Sequence, residues 1–232
     1  MEFQTKALYN LLKFNYWSDP TIKCEPWQVE DLKIESSEKL FEKLHKLGIA
    51  IDKEHFLLYA EGCDGPEELT ECLIVDNETT KYHDQIFLIF FELWRRFLPE
   101  KPSLSIFCDE LDSLIYLYDN GELKTDEILQ DALANLQDIL EENVDAGKAP
   151  KAVMRLVSEN CAHDIEGFLY DYTVDQIDHE NDSYATELIE GFYPFFKNLK
   201  WFDFLRMIIL AKTDIVLAND LLKNIFQELK KG

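Results

Sequence analysis

Apolar positions recur at three- and four-residue intervals along most of the chain, and no stretch alternates convincingly with period two. The pattern therefore predicts helices rather than strands. The first spans 2–17, with Phe3, Ala7, Leu8, Leu11 and Leu12 on one side, and Ser18-Asp19-Pro20 ends it. An ordered loop with Cys24 and Trp27 follows, where Pro26 suits the first turn of a short helix. Ser36 starts a helix carrying Leu40, Phe41, Leu44 and Leu47, which Gly48 closes. Asp52 caps the next, and Gly65-Pro66 opens another. The polar run 77–80 breaks the pattern. A long helix is predicted from about Thr80 to Leu98, and its interior IFLIFFELW is apolar nearly all round, the mark of a helix buried on several sides. Pro99 and Pro102 terminate it. Further helices are predicted over 103–119, stopped by Asp119-Asn120-Gly121, and from Thr125-Asp126-Glu127 to about Asn143, ended by Asp145-Ala146-Gly147. A long segment from Pro150 to about Asp178 breaks near Cys161 or Gly167. Asn181-Asp182-Ser183 precedes a helix to Phe196, and helices over 199–212 and 214–230 complete the chain.

The expected fold is all-α, with ten to twelve helices in successive antiparallel hairpins, arranged as an irregular helical-repeat array or a multi-helix bundle. No linker rich in Pro, Gly or Ser interrupts the 232 residues, so one domain over 1–232 is expected, and a boundary near 121–125 is the second choice. The hairpins pair 36–48 with 52–62, 80–98 with 103–119, 125–143 with 149–178, and 184–197 with 199–212. At that level alone the chain resembles tetratricopeptide-like and HEAT-like solenoids. The hairpin starts are unevenly spaced and the tetratricopeptide residue pattern is absent, so the resemblance transfers no functional residue.

Composition agrees with helices, since only 8 Gly and 7 Pro are present. Charge changes the picture more. The net charge is -23, and it is uneven: residues 101–182 hold 20 acidic and 5 basic side chains, whereas 183–232 hold 6 acidic and 7 basic. Such a surface repels nucleic-acid phosphates and anionic membranes, and it suits a basic partner or plain solubility. Apolar runs are too short and too interrupted to span a bilayer. Five widely spaced Cys without a CxxC point to reduced thiols, and no basic stretch followed by an apolar run opens the chain, so a cytoplasmic protein is expected.

Candidate chemistry centres on an acidic stripe. Asp164, Asp171, Asp175, Asp178 and Asp182 would fall within about 60° of one another on a continuous helix, bordering the apolar positions Ala162, Ile165, Leu169 and Tyr172. Carboxylates one turn apart can share a divalent cation, but a second facing stripe is needed, with Asp109 and Asp112 or Asp131 and Asp138 as candidates. The pairs His83-Asp84 and His163-Asp164 are too short to define a phosphohydrolase site. No GxSxG, GxGxxG, P-loop or Glu-x-x-His occurs, so no catalytic set and no cofactor is predicted. A block of aromatics, including Phe192, Phe195, Phe196 and Trp201, reads as core or as the lining of a groove for a partner helix. The function expected from these features is a non-enzymatic adaptor or chaperone-like module that holds a basic or amphipathic protein segment. The alternative is a metal-dependent all-α hydrolase or lyase using the aspartate-rich helix.

Overall fold

The computed structural model describes residues 5–74, 77–101 and 103–230, so Phe3 and Pro102 fall outside the described residues. The described chain is all-helical, without a strand. Its helices are α1 (Lys6–Ser18), α2 (Pro26–Val29), α3 (Ser37–Lys46), α4 (Lys53–Ala60), α5 (Pro66–Leu73), α6 (Asn77–Thr80) and α7 (His83–Phe97). They continue with α8 (Leu104–Asp119), α9 (Glu127–Asp145), α10 (Pro150–Asn160), α11 (Ile165–Asp178), α12 (Asp182–Phe192), α13 (Leu199–Thr213) and α14 (Ile215–Leu229). Single 3-10 turns lie at Leu32–Ile34 and Tyr193–Phe195. No helix among the described residues is long and apolar enough to cross a membrane.

The helix boundaries follow local chemistry. Ser36 and Asp52 cap α3 and α4 by accepting the backbone N–H groups of Lys39 and His55. Pro26 and Pro66 sit in the first turns of α2 and α5. Three helices end in Gly at positive φ: Gly48, Gly121 and Gly147. At each, the next residue's N–H returns to a carbonyl one turn back, as in Ile49 N to Leu44 O at 2.9 Å and Glu122 N to Leu117 O at 2.8 Å. This six-to-one closure needs the left-handed residue that glycine supplies without strain.

Contacts divide the chain into two compact units. The first comprises the residues up to Tyr116 together with Asn160–Ala162, and the second comprises Leu117–Glu159 and the residues from His163 onward. The first is built around α7, whose residues from Ile86 to Trp94 are all buried, Glu92 included. Helices α3 and α5 pack against it and α4 packs on α5, bringing Leu40, Leu44, Leu69 and Phe56 of α4 into one apolar cluster. The opening helix departs from its predicted face. It buries Ala7, Tyr9 and Asn10, and leaves Leu8 and Leu11 exposed. The reason is polar: Lys6 and Asn10 turn inward to Asp109 and Asp112 on α8, and Tyr9 donates its hydroxyl to Asp84 at 2.7 Å.

In the second unit, Leu129, Leu133, Leu136 and Leu140 of α9 are buried, as their spacing predicts. Helix α11 packs on α12 and α13, and α13 lies along α14. The segment from Pro150 is interrupted between Asn160 and Ile165, beside Cys161, and Asp164 takes the N-cap position of the second piece without a side-chain capping bond.

Candidate functional site

The acidic stripe does not run along one helix. Asp171, Asp175 and Asp178 lie on α11, whereas Asp164 is its N-cap and Asp182 opens α12. The predicted stripe assumed unbroken periodicity, and the cap at one end and a left-handed residue, Glu180 (φ 63°), at the other interrupt it. Two of the five carboxylates are also occupied within the fold. Asp175 accepts the Tyr118 hydroxyl at 2.6 Å and lies 3.4 Å from His179 Nδ1, and Asp182 pairs with Lys212 at 2.6 Å. The backbone carbonyl of Asp175 and its carboxylate raise the His179 pKa, and burial with Asp175 beside it raises that of Tyr118. A polar groove lies here, with Asp126, Asp175, Gln176 and His179 in its wall.

The predicted second stripe is a buried charge cluster rather than a ligand set. Asp109 is 2 % exposed and has Lys6 Nζ 2.7 Å from Oδ1 and Lys33 Nζ 3.2 Å from Oδ2. Asp112 takes the Asn10 amide at 3.2 Å and the Ala162 backbone N–H at 2.8 Å. Burial opposes ionisation of Asp109, yet the two ammonium groups hold its carboxyl down at about 2. Lys6 has the reverse balance, since desolvation outweighs Asp109 and lowers its pKa. Among the described residues no three His, Cys, Asp or Glu side chains converge in a way that could hold a metal ion. Burial pushes the Cys63 thiol up to about 11, and Cys161 is pushed up by its contact with Cys108 and by burial, so neither favours the thiolate.

The aromatic block divides. Phe192, Phe195 and Phe196 are 1 %, 3 % and 1 % exposed, so these three proposed groove residues are core. Phe192 is buried on α12, and the 3-10 turn Tyr193–Phe195 after it folds Phe195 and Phe196 inward, where Phe196 stacks on Phe202 at 3.5 Å. Trp201 is the exception, with 61 % of its surface exposed. It sits in the first turn of α13, against Tyr170 of α11 with ring centroids 6.0 Å apart and planes at 75°.

Trp201 stands as a ridge between two grooves. On one side Leu199, Trp201 and Phe204 of α13 face Ile225 and Leu229 of α14 across a groove of about 470 Å³, with Lys197 and Lys200 at its rim. On the other, a groove of about 430 Å³ runs over Gly167 and Tyr170 between Asp164 and Asp171. The exposed apolar side chains of α14 were not foreseen. Ile215, Val216, Leu217, Phe226 and Leu229 are each more than half exposed, and among the described side chains of that helix only Ala218 and Ile225 are buried. The helical spacing of Leu221, Leu222, Ile225, Phe226 and Leu229 gives 215–229 an apolar face, but the spacing alone does not tell whether a neighbour covers it.

The chain matches no protein-family model, no curated protein and no solved structure.

Proposed function

We propose that this protein is a non-enzymatic protein–protein interaction module whose α13–α14 groove receives an amphipathic helix of a partner. The observation that carries the reading is the apolar groove formed by Leu199, Trp201, Phe204, Ile225 and Leu229. A contiguous exposed apolar surface of this kind on a helical hairpin is what helix-in-groove recognition uses. Of sixteen exposed large apolar side chains among the described residues, seven lie between Trp201 and Leu229. The surplus of surface apolarity is thus local, and it falls in the part of the chain that carries almost no net charge. A partner helix can approach there without crossing the repulsion that the acidic 101–182 segment would impose on an anionic surface. The same charge distribution supports a protein partner over nucleic acid, and the cysteines held as thiols support a cytoplasmic setting.

A direct test titrates the full-length protein with a synthetic amphipathic helix bearing leucines at i, i+3, i+4 and i+7, with binding read by calorimetry. Phe204→Gln combined with Leu229→Gln should weaken binding by about tenfold or more, because both side chains lose their apolar contact with the occupant. Circular dichroism checks that the variant stays helical. Equal affinity for the variant and the parent would remove the groove from the account.

A further inference from the structure

We infer that the second groove, on the far side of Trp201, is a cation-anchoring site that takes an arginine side chain of the docked helix. This rests on the docking reading above and adds the chemistry of the partner to it.

The groove combines the two surfaces a guanidinium seeks. The exposed Trp201 indole and the half-buried Tyr170 ring meet nearly at right angles and offer π faces. Tyr170 is itself braced edge-on against the buried Phe202, with centroids 5.9 Å apart, so the aromatic wall is fixed from behind. Carboxylates stand at both ends. Asp164 and Asp171 are seven residues apart, about two helical turns or 10 Å along α11.

The structure leaves those carboxylates available. Asp164 occupies the N-cap of α11, yet its side chain makes no capping hydrogen bond. The capping role is the usual reason for an aspartate at that position, and this carboxylate is not engaged in it. It lies over Gly167, where a Cβ would come within 2.8 Å of Asp164 Oδ2. Any larger residue at 167 would push that carboxylate aside. Glu166, by contrast, is committed: it accepts the backbone N–H groups of Lys197 and Asn198 and fixes the floor shared by the two grooves. Lys197 also reaches this groove, but its side chain is exposed and can swing away. The acidic wall, the aromatic faces and the neighbouring apolar groove together fit one occupant: an amphipathic helix with leucine-like anchors on one side and an arginine beside them. Arginine fits better than lysine, because its planar guanidinium stacks on the indole while donating to a carboxylate.

The test compares two otherwise identical synthetic amphipathic helices, one carrying arginine and the other citrulline, its neutral near-isostere, at the position flanking the leucine face. The parent protein should bind the arginine peptide about tenfold more tightly. In Asp164→Asn combined with Asp171→Asn, the preference should fall below about twofold. Asp131→Asn combined with Asp138→Asn removes the same net charge from exposed positions on α9 and should leave the preference intact. If the α9 variant loses as much as the α11 variant, the preference is long-range attraction to an acidic protein and the cation site is overturned. If both peptides bind equally and both depend on Phe204 and Leu229, the cation site falls and the docking reading stands. If neither peptide binds, or binding ignores Phe204 and Leu229, both fall.

Discussion

Glu180 is the only non-glycine among the described residues with positive φ, at 63°. It follows α11 at the position that Gly48, Gly121 and Gly147 hold after their helices. The hydrogen bonds are the same, with Asn181 N to Gln176 O at 2.8 Å and Glu180 N to Ile177 O at 3.1 Å. A side chain with a Cβ is strained in this conformation by about 1 kcal/mol or more. Glycine has a larger entropy to lose on folding, which offsets part of the gain. Glu180→Gly should therefore stabilise the protein by about 0.5–1 kcal/mol, seen as a raised urea midpoint with an unchanged slope. A lower midpoint would mean that the Glu180 side chain contributes more than its backbone costs. The same residue explains a failure of sequence reading. Three helix ends were legible because glycine marked them, whereas the end at Glu180 carries no such mark. Only Asn181-Asp182-Ser183 just beyond it signals the stop.

Among the elements, α7 was the most legible and also the most demanding. An apolar run of nine residues requires neighbours all round, and α3 and α5 supply part of that cover. The run also carries Glu92, only 4 % exposed, which sequence alone does not reveal as buried. Glu92 is satisfied by Arg95, with bonds of 3.0 and 2.6 Å, and by Arg96 Nε at 2.6 Å. Arg96 continues outward, donating to the carbonyls of Leu32 at 2.9 Å and Glu35 at 2.7 Å. It thereby ties the Leu32–Ile34 turn to α7. Arg96→Ala should cost about 3 kcal/mol in denaturant unfolding, because it strips a buried carboxylate of one partner and removes the guanidinium's bonds to the Leu32 and Glu35 carbonyls. Arg95→Ala should cost less, since Arg95 holds Glu92 alone. Amide exchange around 32–36 should accelerate in the Arg96 variant and stay near the parent rate in the Arg95 variant. Arg96→Lys should rescue little, because an ammonium cannot reproduce the forked geometry. Equal losses at 95 and 96 would refute the role of Arg96 as a tie. At the candidate site the sequence was less informative. Aromatic density identified the block from Phe192 to Phe204, but not which rings face outward. Phe192 is buried on the apolar face of α12, and the 3-10 turn at Tyr193–Phe195 sends Phe195 and Phe196 into the core before α13 begins. The aspartate spacing likewise hid that Asp164 is a cap and Asp182 the start of another helix.

For the molecule as a whole, charge acts with two opposite signs. Residues 101–182 carry 20 carboxylates against 5 cations, and few of their ion pairs are buried. Most of this charge is therefore exposed, and its self-repulsion is released by unfolding. Raising NaCl from about 20 mM to about 500 mM shortens the screening length from roughly 20 Å to a few Å and should raise Tm by a few degrees. NaCl is the right salt, because sulfate would strengthen apolar burial by itself and confuse the cause. The buried pairs around Asp109 should be little affected, since screening acts weakly where solvent is excluded. The same titration should weaken the docking of an arginine-bearing helix, whose attraction to Asp164 and Asp171 is exposed to the solvent. It should leave the citrulline counterpart nearly unchanged, because the groove of Phe204, Ile225 and Leu229 binds by apolar contact. Stability rising while arginine-peptide affinity falls is the signature of one acidic surface acting in both roles. A Tm that stays flat or drops with salt would show that the carboxylates of 101–182 are compensated within the fold, and that the chain's acidity is not held in reserve for a partner.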